Sequence, residues 1–113
     1  WTLVRSSPST YDILVSMAET SVEQFREALR AWSSQDLDLA DHLARSGPVL
    51  DVANAQLVRE LLVLEGPTAV ATALHSLVIG KALDRIADHS AIIGSRLRYL
   101  LTGDPDHLAA EIR

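Results

Sequence analysis

The sequence predicts an all-α protein, an antiparallel three-helix bundle with long helices followed by a short C-terminal helix or tail. Apolar residues recur every three or four positions over three long segments, which is the spacing of one buried helix face. No segment alternates apolar and polar residues as a half-buried strand does. Breaks that contain serine, glycine or proline separate the three segments. We expect a single domain over 1–113, with helices over about 8–32, 35–64 and 67–102 and a tail over 103–113.

Composition excludes several classes of function. The 113 residues are 48% hydrophobic, which is enough for one packed core without stabilising cross-links. No cysteine is present, so disulfides and thiolate chemistry are excluded. The formal charge is −5 and the only lysine is Lys81, which disfavours nucleic acid as a partner. No apolar run reaches the roughly 18–20 residues of a membrane span, and we expect a cytoplasmic protein.

The first predicted helix begins at Pro8, because Ser7 can cap a helix whose first residue is proline. Glu19, Glu23 and Glu27 form an acidic ridge on its polar side, which is either a solvated face with local ion pairs or a surface for a partner. Its apolar stripe consists of Tyr11, Leu14, Ala18, Ser21, Phe25, Ala28 and Trp32.

Ser33-Ser34-Gln35 ends the first helix, and one of these serines is available to cap the second. Pro48 removes a backbone hydrogen bond and clashes with the preceding turn, so we expect a kink or short break near Arg45. The second stripe is a seam of leucines typical of a helix bundle. Its members are Leu39, Leu43, Leu50, Leu57, Leu61 and Leu64.

Gly66 and Pro67 mark the boundary between the second and third helices. We expect Gly66 to end the second helix as a left-handed cap and Pro67 to begin the third. The third helix closes at Thr102-Gly103. Because the connection at Gly66 is short, the two helices it joins should be antiparallel. The expected core side of the third helix carries His75, Ile79, Leu83, Ile86, Ile93, Leu97 and Leu100.

Two aspartates, Asp84 and Asp88, lie one helical turn apart in the third helix and away from this apolar side. Like charges at this spacing repel by about 0.2–0.5 kcal/mol on a helix surface. The pair is therefore either a tolerated part of a solvated face or a site for a cation, since two such carboxylates can converge on one ion. Lys81, one turn earlier, relieves part of the repulsion.

The segment around these aspartates, ALDRIADHSAIIGSRLRYLLTGD, resembles the signature near the end of a PhoU-family repeat. Weaker similarity extends upstream to Leu39-Ala40, Asp51 and Arg59-Glu60-Leu61-Leu62, so the likeness covers most of 10–103. A typical member of that family has two three-helix repeats, and this chain resembles the C-terminal one. The residues that carry the signature are Leu83, Asp84, Arg85, Ile86, Ala87, Asp88, His89, Tyr99, Leu100, Thr102 and Gly103. Because the chain begins at Trp1, we expect it to be part of a longer protein.

The resemblance also implies a metal site. Family members hold metal clusters on the outside of each bundle through pairs of acidic residues four positions apart. Asp84 and Asp88 match one such pair, and Asp51 matches the second half of the other. Gly47 stands where the remaining carboxylate should be, which removes one ligand and puts a multinuclear cluster in doubt. The resemblance thus suggests a divalent or iron cation at Asp84, Asp88 and Asp51.

By the same resemblance, the protein would be a non-enzymatic regulator of phosphate uptake and phosphate-starvation signalling. Its implied partners are a phosphate ABC transporter and a sensor histidine kinase, and a homodimer is compatible with the pattern. Two alternatives remain open: a cytoplasmic regulatory module of an ion or phosphate transporter, and a metal-binding helical bundle. No catalytic residue is predicted, because the sequence contains neither a recognisable nucleophile motif nor the Glu-x-x-His pairs of di-iron bundles.

Histidines supply the remaining candidates. His75 should be a core histidine satisfied by a hydrogen bond. His89 follows Asp88 and is either a metal ligand or, as the family pattern favours, a structural residue. Asp38 and His42 are four positions apart and could share a zinc ion, although such surface pairs are common.

Overall fold

The computed structural model describes residues 8–46 and 49–105, and these residues confirm the all-α prediction. Over these two ranges the backbone forms helices and loops and contains no strand. Ser7, Gly47, Pro48 and most of the predicted tail lie outside the described residues. The helices are α1 (Pro8–Ser34), α2 (Leu37–Arg45), α3 (Asp51–Leu62) and α4 (Ala69–Thr102).

The helices form a bundle in which α1 and α4 run in the same direction and α2 and α3 run back between them. The hydroxyl of Ser21 in α1 donates to the carbonyl of Leu83 in α4 at 3.1 Å, and the later residue Trp32 shares a groove with Leu100. Helices α1 and α4 are therefore parallel. Short connections join α1 to α2 and α3 to α4, and the helices of each of these two pairs are antiparallel, as expected.

The break between α1 and α2 depends on residues 35 and 36. Gln35 adopts a left-handed backbone conformation with φ of 53°, which ends α1. Asp36 then caps α2, and its carboxylate accepts the Leu39 N–H at 3.1 Å. The prediction of a serine cap was wrong, because the Ser33 and Ser34 hydroxyls donate instead to the carbonyl of Arg30.

The second predicted helix is two helices. A break was expected near Arg45, and α2 ends at that residue. At the far end α3 stops at Leu62, so the prediction that Gly66 caps this helix was wrong, although Gly66 does adopt a positive φ of 99° in the loop. The glycine stop of the last helix is confirmed, because Gly103 has φ of 72° and its N–H donates to the Tyr99 carbonyl at 2.7 Å.

The leucine seam is confirmed as the central part of the core. Leu43, Leu50, Leu57 and Leu61 are buried, whereas Leu39 and Leu64 are half-buried against them. On α1 the buried line is displaced from the predicted stripe. Leu14, Ser21 and Ala28 are buried as predicted, but Phe25 and Trp32 are exposed. The buried residues of α1 are Thr10, Leu14, Met17, Ser21, Gln24, Ala28 and Ala31.

The inner line of α4 is made of small residues, not of its large apolar ones. The predicted core side was therefore wrong at His75, Ile86 and Leu100, which are exposed. The physical reason is close packing, since small side chains let α4 approach its neighbours and leave the larger ones at the margin. Leu97 is buried as predicted, and Ile79, Leu83 and Ile93 are half-buried. The buried residues of α4 are Thr72, Ser76, Gly80, Ala87, Ser90, Gly94, Ser95 and Leu97.

An ion pair fastens α2 to the last turns of α4. The Arg98 guanidinium, with only 14% of its side chain exposed, donates to Asp41 Oδ1 at 2.7 Å. Arg45 lies 3.1 Å from the other oxygen of Asp41. The hydrogen bond from Arg98 and the two positive charges lower the pKa of Asp41 below its ordinary value. The stability that this carboxylate contributes at neutral pH is therefore lost as the pH falls through that lowered value.

Candidate functional site

The aspartates of the signature lie on the outer side of α4. Asp88 is exposed and Asp84 is half-buried. Asp51, the first residue of α3, is exposed and belongs to the same region, because its charge acts on Asp84. The structure thus places the three predicted residues close enough for the charges of Asp51 and Asp88 to act on Asp84. We call Asp51, Asp84 and Asp88 the carboxylate face.

Gly80, one turn before Asp84, allows α3 to come this close to α4. A Cβ atom at residue 80 would lie 2.9 Å from Leu57 Cδ2 and 3.4 Å from Asn54 Oδ1. Both atoms belong to α3, so the absence of a side chain at Gly80 permits tight contact between the two helices. This contact places the beginning of α3, and with it Asp51, beside the aspartates of α4.

The environment of Asp84 disfavours its charged form. Partial burial is the main cause of a pKa raised above the ordinary value, and the negative charges of Asp88 and Asp51 raise it further. Lys81 offsets part of this effect. The pair lies outside the core as expected, but Asp84 loses some hydration in the folded protein.

The predicted metal ligands do not form a ready-made three-ligand site. Within residues 8–46 and 49–105, no three acidic or histidine side chains are arranged so that they could hold one ion. The donor set that remains is the pair Asp84 and Asp88, which suits a hard cation whose other ligands are water. Metal binding at Asp84, Asp88 and Asp51 stays a prediction.

The other candidates fall at separate places. His42 Nε2 lies 3.9 Å from Glu27 Oε2, so this glutamate faces α2 and does not continue the ridge of Glu19 and Glu23. Glu23 pairs with Arg30 at 3.2 Å, as expected of a face with local ion pairs. His89 is exposed beside Asp88. Zinc binding by Asp38 and His42 stays a prediction.

A second surface feature was missed by the sequence analysis. An open groove of about 740 Å³ lies between the second half of α1 and the last turns of α4. Large apolar side chains form its walls, and Arg96 lies among them. Trp32, Ile93 and Leu100 were assigned to the core because their spacing is that of a buried stripe. The small residues Ala28 and Ala31 could have indicated that the buried side of α1 lies next to the stripe of large apolar residues and not on it. The groove is lined by Ala28, Leu29, Trp32, Ile93, Arg96, Tyr99 and Leu100.

Replacing Asp84 with asparagine is expected to stabilise the domain at neutral pH by about 0.2–0.5 kcal/mol, the usual cost of a like-charge pair one turn apart. Because the folded-state pKa of Asp84 is raised, the wild type should lose stability as the pH rises through that value, and the variant should not. Urea unfolding across acidic to neutral pH measures this. Glu19→Gln, on the exposed side of α1, is the control, and an Asp84→Asn variant less stable than wild type at neutral pH would refute the prediction.

Comparison with known proteins identifies the family. The sequence profile of the PhoU domain matches residues 14–97, which is more than half of the 113-residue chain. The chain belongs to the PhoU domain family. The match to this PhoU domain includes α2 and α3 entirely and most of α1 and α4.

Several curated relatives carry the same name, phosphate-specific transport system accessory protein PhoU homolog. The one from Xylella fastidiosa is 29% identical over 93 residues, which are 80% of this chain and 39% of the relative. The one from Deinococcus radiodurans is 28% identical over 95 residues, 82% of this chain and 45% of the relative. The one from Zymomonas mobilis is 31% identical over 93 residues, 80% of this chain and 39% of the relative. The PhoU domain described here thus spans less than half the length of these relatives.

Two further comparisons bear on the PhoU domain. No solved structure matches the chain. In the part of the chain that the structure describes, no helix has the length and apolar character needed to cross a bilayer.

Proposed function

We propose that this PhoU domain is a non-enzymatic, cytoplasmic regulator of phosphate uptake that acts by contact with other proteins. Membership of the PhoU family is the observation that carries the proposal. Relatives from three organisms are named accessory proteins of phosphate-specific transport, which supports a role beside a transporter. The finer proposal is that the domain contacts a phosphate ABC transporter and a sensor histidine kinase, and thereby keeps phosphate-starvation signalling off when phosphate is plentiful.

The carboxylate face is the surface best suited to such a contact. Asp51 and Asp88 are exposed, and Asp84 is partly dehydrated and electrostatically strained by them. A positively charged partner residue placed between these side chains would reduce the repulsion among the three carboxylates of the isolated domain. Charge complementarity of this kind raises the association rate and selects for the correct partner.

A binding experiment with purified partners tests the proposal. The domain should be retained by the cytoplasmic ATPase subunit of a phosphate ABC transporter, or by the cytoplasmic region of the sensor kinase. The Asp84→Lys, Asp88→Lys variant should be retained less, and Glu19→Lys on α1 is the control for a change of net charge. Absence of binding to both partners would refute the proposed function.

Metal binding is a second candidate, favoured by the raised pKa of Asp84 beside two further carboxylates. A divalent cation would neutralise this local negative charge and would be held by Asp84 and Asp88. Titration with Fe²⁺, Zn²⁺ and Mn²⁺ should show uptake by the wild type that is lost in an Asp84→Ala, Asp88→Ala variant. Equal uptake by both proteins would eliminate these residues as ligands.

A further inference from the structure

The groove between α1 and α4 leaves large apolar side chains open to solvent at one end of the bundle. Leu29 is 54% exposed, Trp32 51% and Leu100 63%. Among the described residues that line the groove, Arg96 is the one that carries a charge. Contiguous apolar surface of this kind marks an interaction site, whereas single exposed apolar residues need no explanation. The groove therefore fits an apolar occupant that also carries negative charge.

The chain leaves α4 at the open end of this groove. Gly103 has a left-handed backbone with φ of 72°, and its N–H donates to the Tyr99 carbonyl. A left-handed residue at this position ends the helix and turns the chain away from the helix axis. Leu100, which lines the groove, precedes Gly103 by three residues. The segment that follows Pro105 therefore begins within a few residues of the groove.

This segment, DHLAAEIR over 106–113, has the sequence pattern of a short amphipathic helix. Pro105 precedes it, and proline favours the first position of a helix. Leu108 and Ile112 are four positions apart and so share one side of such a helix, whereas Ala110 lies on the opposite side. The segment thus offers two large apolar side chains on the same side.

The dimensions of the segment match those of the groove. From Ile93 to Leu100 the wall on α4 is about 10 Å long, at 1.5 Å per residue. A helix over 106–113 would be about 12 Å long, with Leu108 and Ile112 about 6 Å apart. If it runs back along α4, Leu108 comes level with Leu100, and Ile112 comes close to the level of Ile93.

Charge favours the same direction. In a helix antiparallel to α4, Glu111 follows Leu108 by three residues and comes level with Arg96, which precedes Leu100 by four. The turn of 100° per residue directs Glu111 to the flank that faces α4 and Ala109 to the flank that faces α1. An ion pair between Glu111 and Arg96 would therefore close the groove on its α4 side.

The edge of α1 is also positive, because Arg26 and Arg30 lie on it. The segment presents the neutral Ala109 to this edge, and Arg113 follows one turn later at the end that faces solvent. Its two acidic residues and one arginine give 106–113 a net charge of −1 with histidine neutral. The main attraction therefore comes from the α4 side.

We propose that residues 106–113 form a short helix that occupies the groove antiparallel to α4, with Leu108 and Ile112 against its apolar walls and Glu111 beside Arg96. The carboxylate face stays accessible in this arrangement, because its aspartates on α4 are turned by about 120–160° from Leu100. The protein's own segment thus excludes other molecules from the groove, while the contact proposed for regulation remains available on another side of α4.

Fluorescence of Trp32 tests this arrangement, because Trp32 lines the groove. The chain has two tryptophans, so Trp1→Phe leaves Trp32 as the single probe. In this background the double variant Leu108→Gln, Ile112→Gln should move the emission maximum to longer wavelength, because water reaches the indole ring. Ala110→Gln, on the opposite side of the segment, is the matched control and should leave the emission maximum unchanged. Far-UV circular dichroism verifies that each variant is folded.

A charge exchange tests the direction of the segment. Arg96→Glu and Glu111→Arg should each move the Trp32 emission maximum to longer wavelength, because each places two like charges side by side. The two substitutions together should restore the emission of the parent protein, since the ion pair is formed again with its charges reversed. Failure of the combination to restore the emission would overturn the proposed pairing.

Three further outcomes would overturn the proposal. An emission maximum that the double variant leaves unchanged would show that the segment does not cover the groove, which would then be open to another protein. An equal shift in the Ala110→Gln control would show that the apolar side of the segment is not the side that binds. A Trp32 emission maximum that depends on protein concentration would assign the groove to a second copy of the chain.

Discussion

Gly94→Ala is expected to destabilise the domain by about 2 kcal/mol, although alanine favours a helix over glycine by about 1 kcal/mol. An added Cβ at residue 94 would lie 2.8 Å from the Ala40 carbonyl oxygen and 2.9 Å from the Ala44 nitrogen. These are backbone atoms of α2, so relief of the clash requires the helices to move apart. Urea unfolding at neutral pH measures the change.

Gly80→Ala is the matched control for this prediction, because both glycines are buried in α4. The closest atom to a Cβ at residue 80 is Leu57 Cδ2 at 2.9 Å, which is the end of a side chain and not backbone. We therefore expect Gly80→Ala to cost much less than Gly94→Ala, with the gain in helix propensity offsetting part of the contact. A Gly94→Ala variant as stable as wild type, or a reversed order of the two variants, would contradict the packing described for α2 and α4.

Leu57→Ala is expected to cost about 3 kcal/mol, the usual consequence of truncating a fully buried leucine. Leu57 is 1% exposed and packs where α1, α3 and α4 meet. For a domain whose total stability is about 5–15 kcal/mol, this loss is a large fraction. Leu62→Ala in the same helix, where the side chain is 79% exposed, should change stability by no more than about 0.5 kcal/mol. Similar losses in the two variants would show that the leucine seam has been assigned to the wrong side of α3.

The fold was largely predictable because helix periodicity and chain punctuation are local properties. The leucine seam from Leu43 to Leu61, the break after Arg45 and the stop at Gly103 all follow from the spacing of apolar residues or from backbone preferences. The exact inner side of α1 and α4 was not predictable in the same way. Large apolar residues occupy both the core and the exposed stripes of α1 and α4, and periodicity alone does not distinguish a buried stripe from an exposed one.

Phe25 and Leu100 illustrate this ambiguity. Both continue a stripe of correct spacing and both are exposed, whereas the small residues Ala28 and Gly94 of the same helices are buried. Small residues in a helix carry little hydrophobic signal, although they permit the shortest distances between helices. The error in the predicted core therefore arose because apolar spacing identifies large residues and overlooks the small ones that are buried beside them.

The carboxylate face was predictable only in part. The spacing of Asp84 and Asp88 placed them on one side of a helix, and that side is outside the core. The influence of Asp51 on Asp84 depends on how closely α3 approaches α4 at Gly80, which is a tertiary property. The Asp41 and Arg98 ion pair was missed for the same reason, since its partners are far apart in the sequence.

The most direct test of the proposed function is a quantitative titration of the domain with the cytoplasmic ATPase subunit of a phosphate ABC transporter and with the sensor kinase. Isothermal titration calorimetry should show saturable binding of the wild type to at least one of them. Asp84→Lys, Asp88→Lys should weaken that binding by about tenfold or more, whereas Glu19→Lys should leave it nearly unchanged. Equal affinity of the wild type and the double variant would contradict a role for the carboxylate face, and no binding to either partner would contradict the regulatory function.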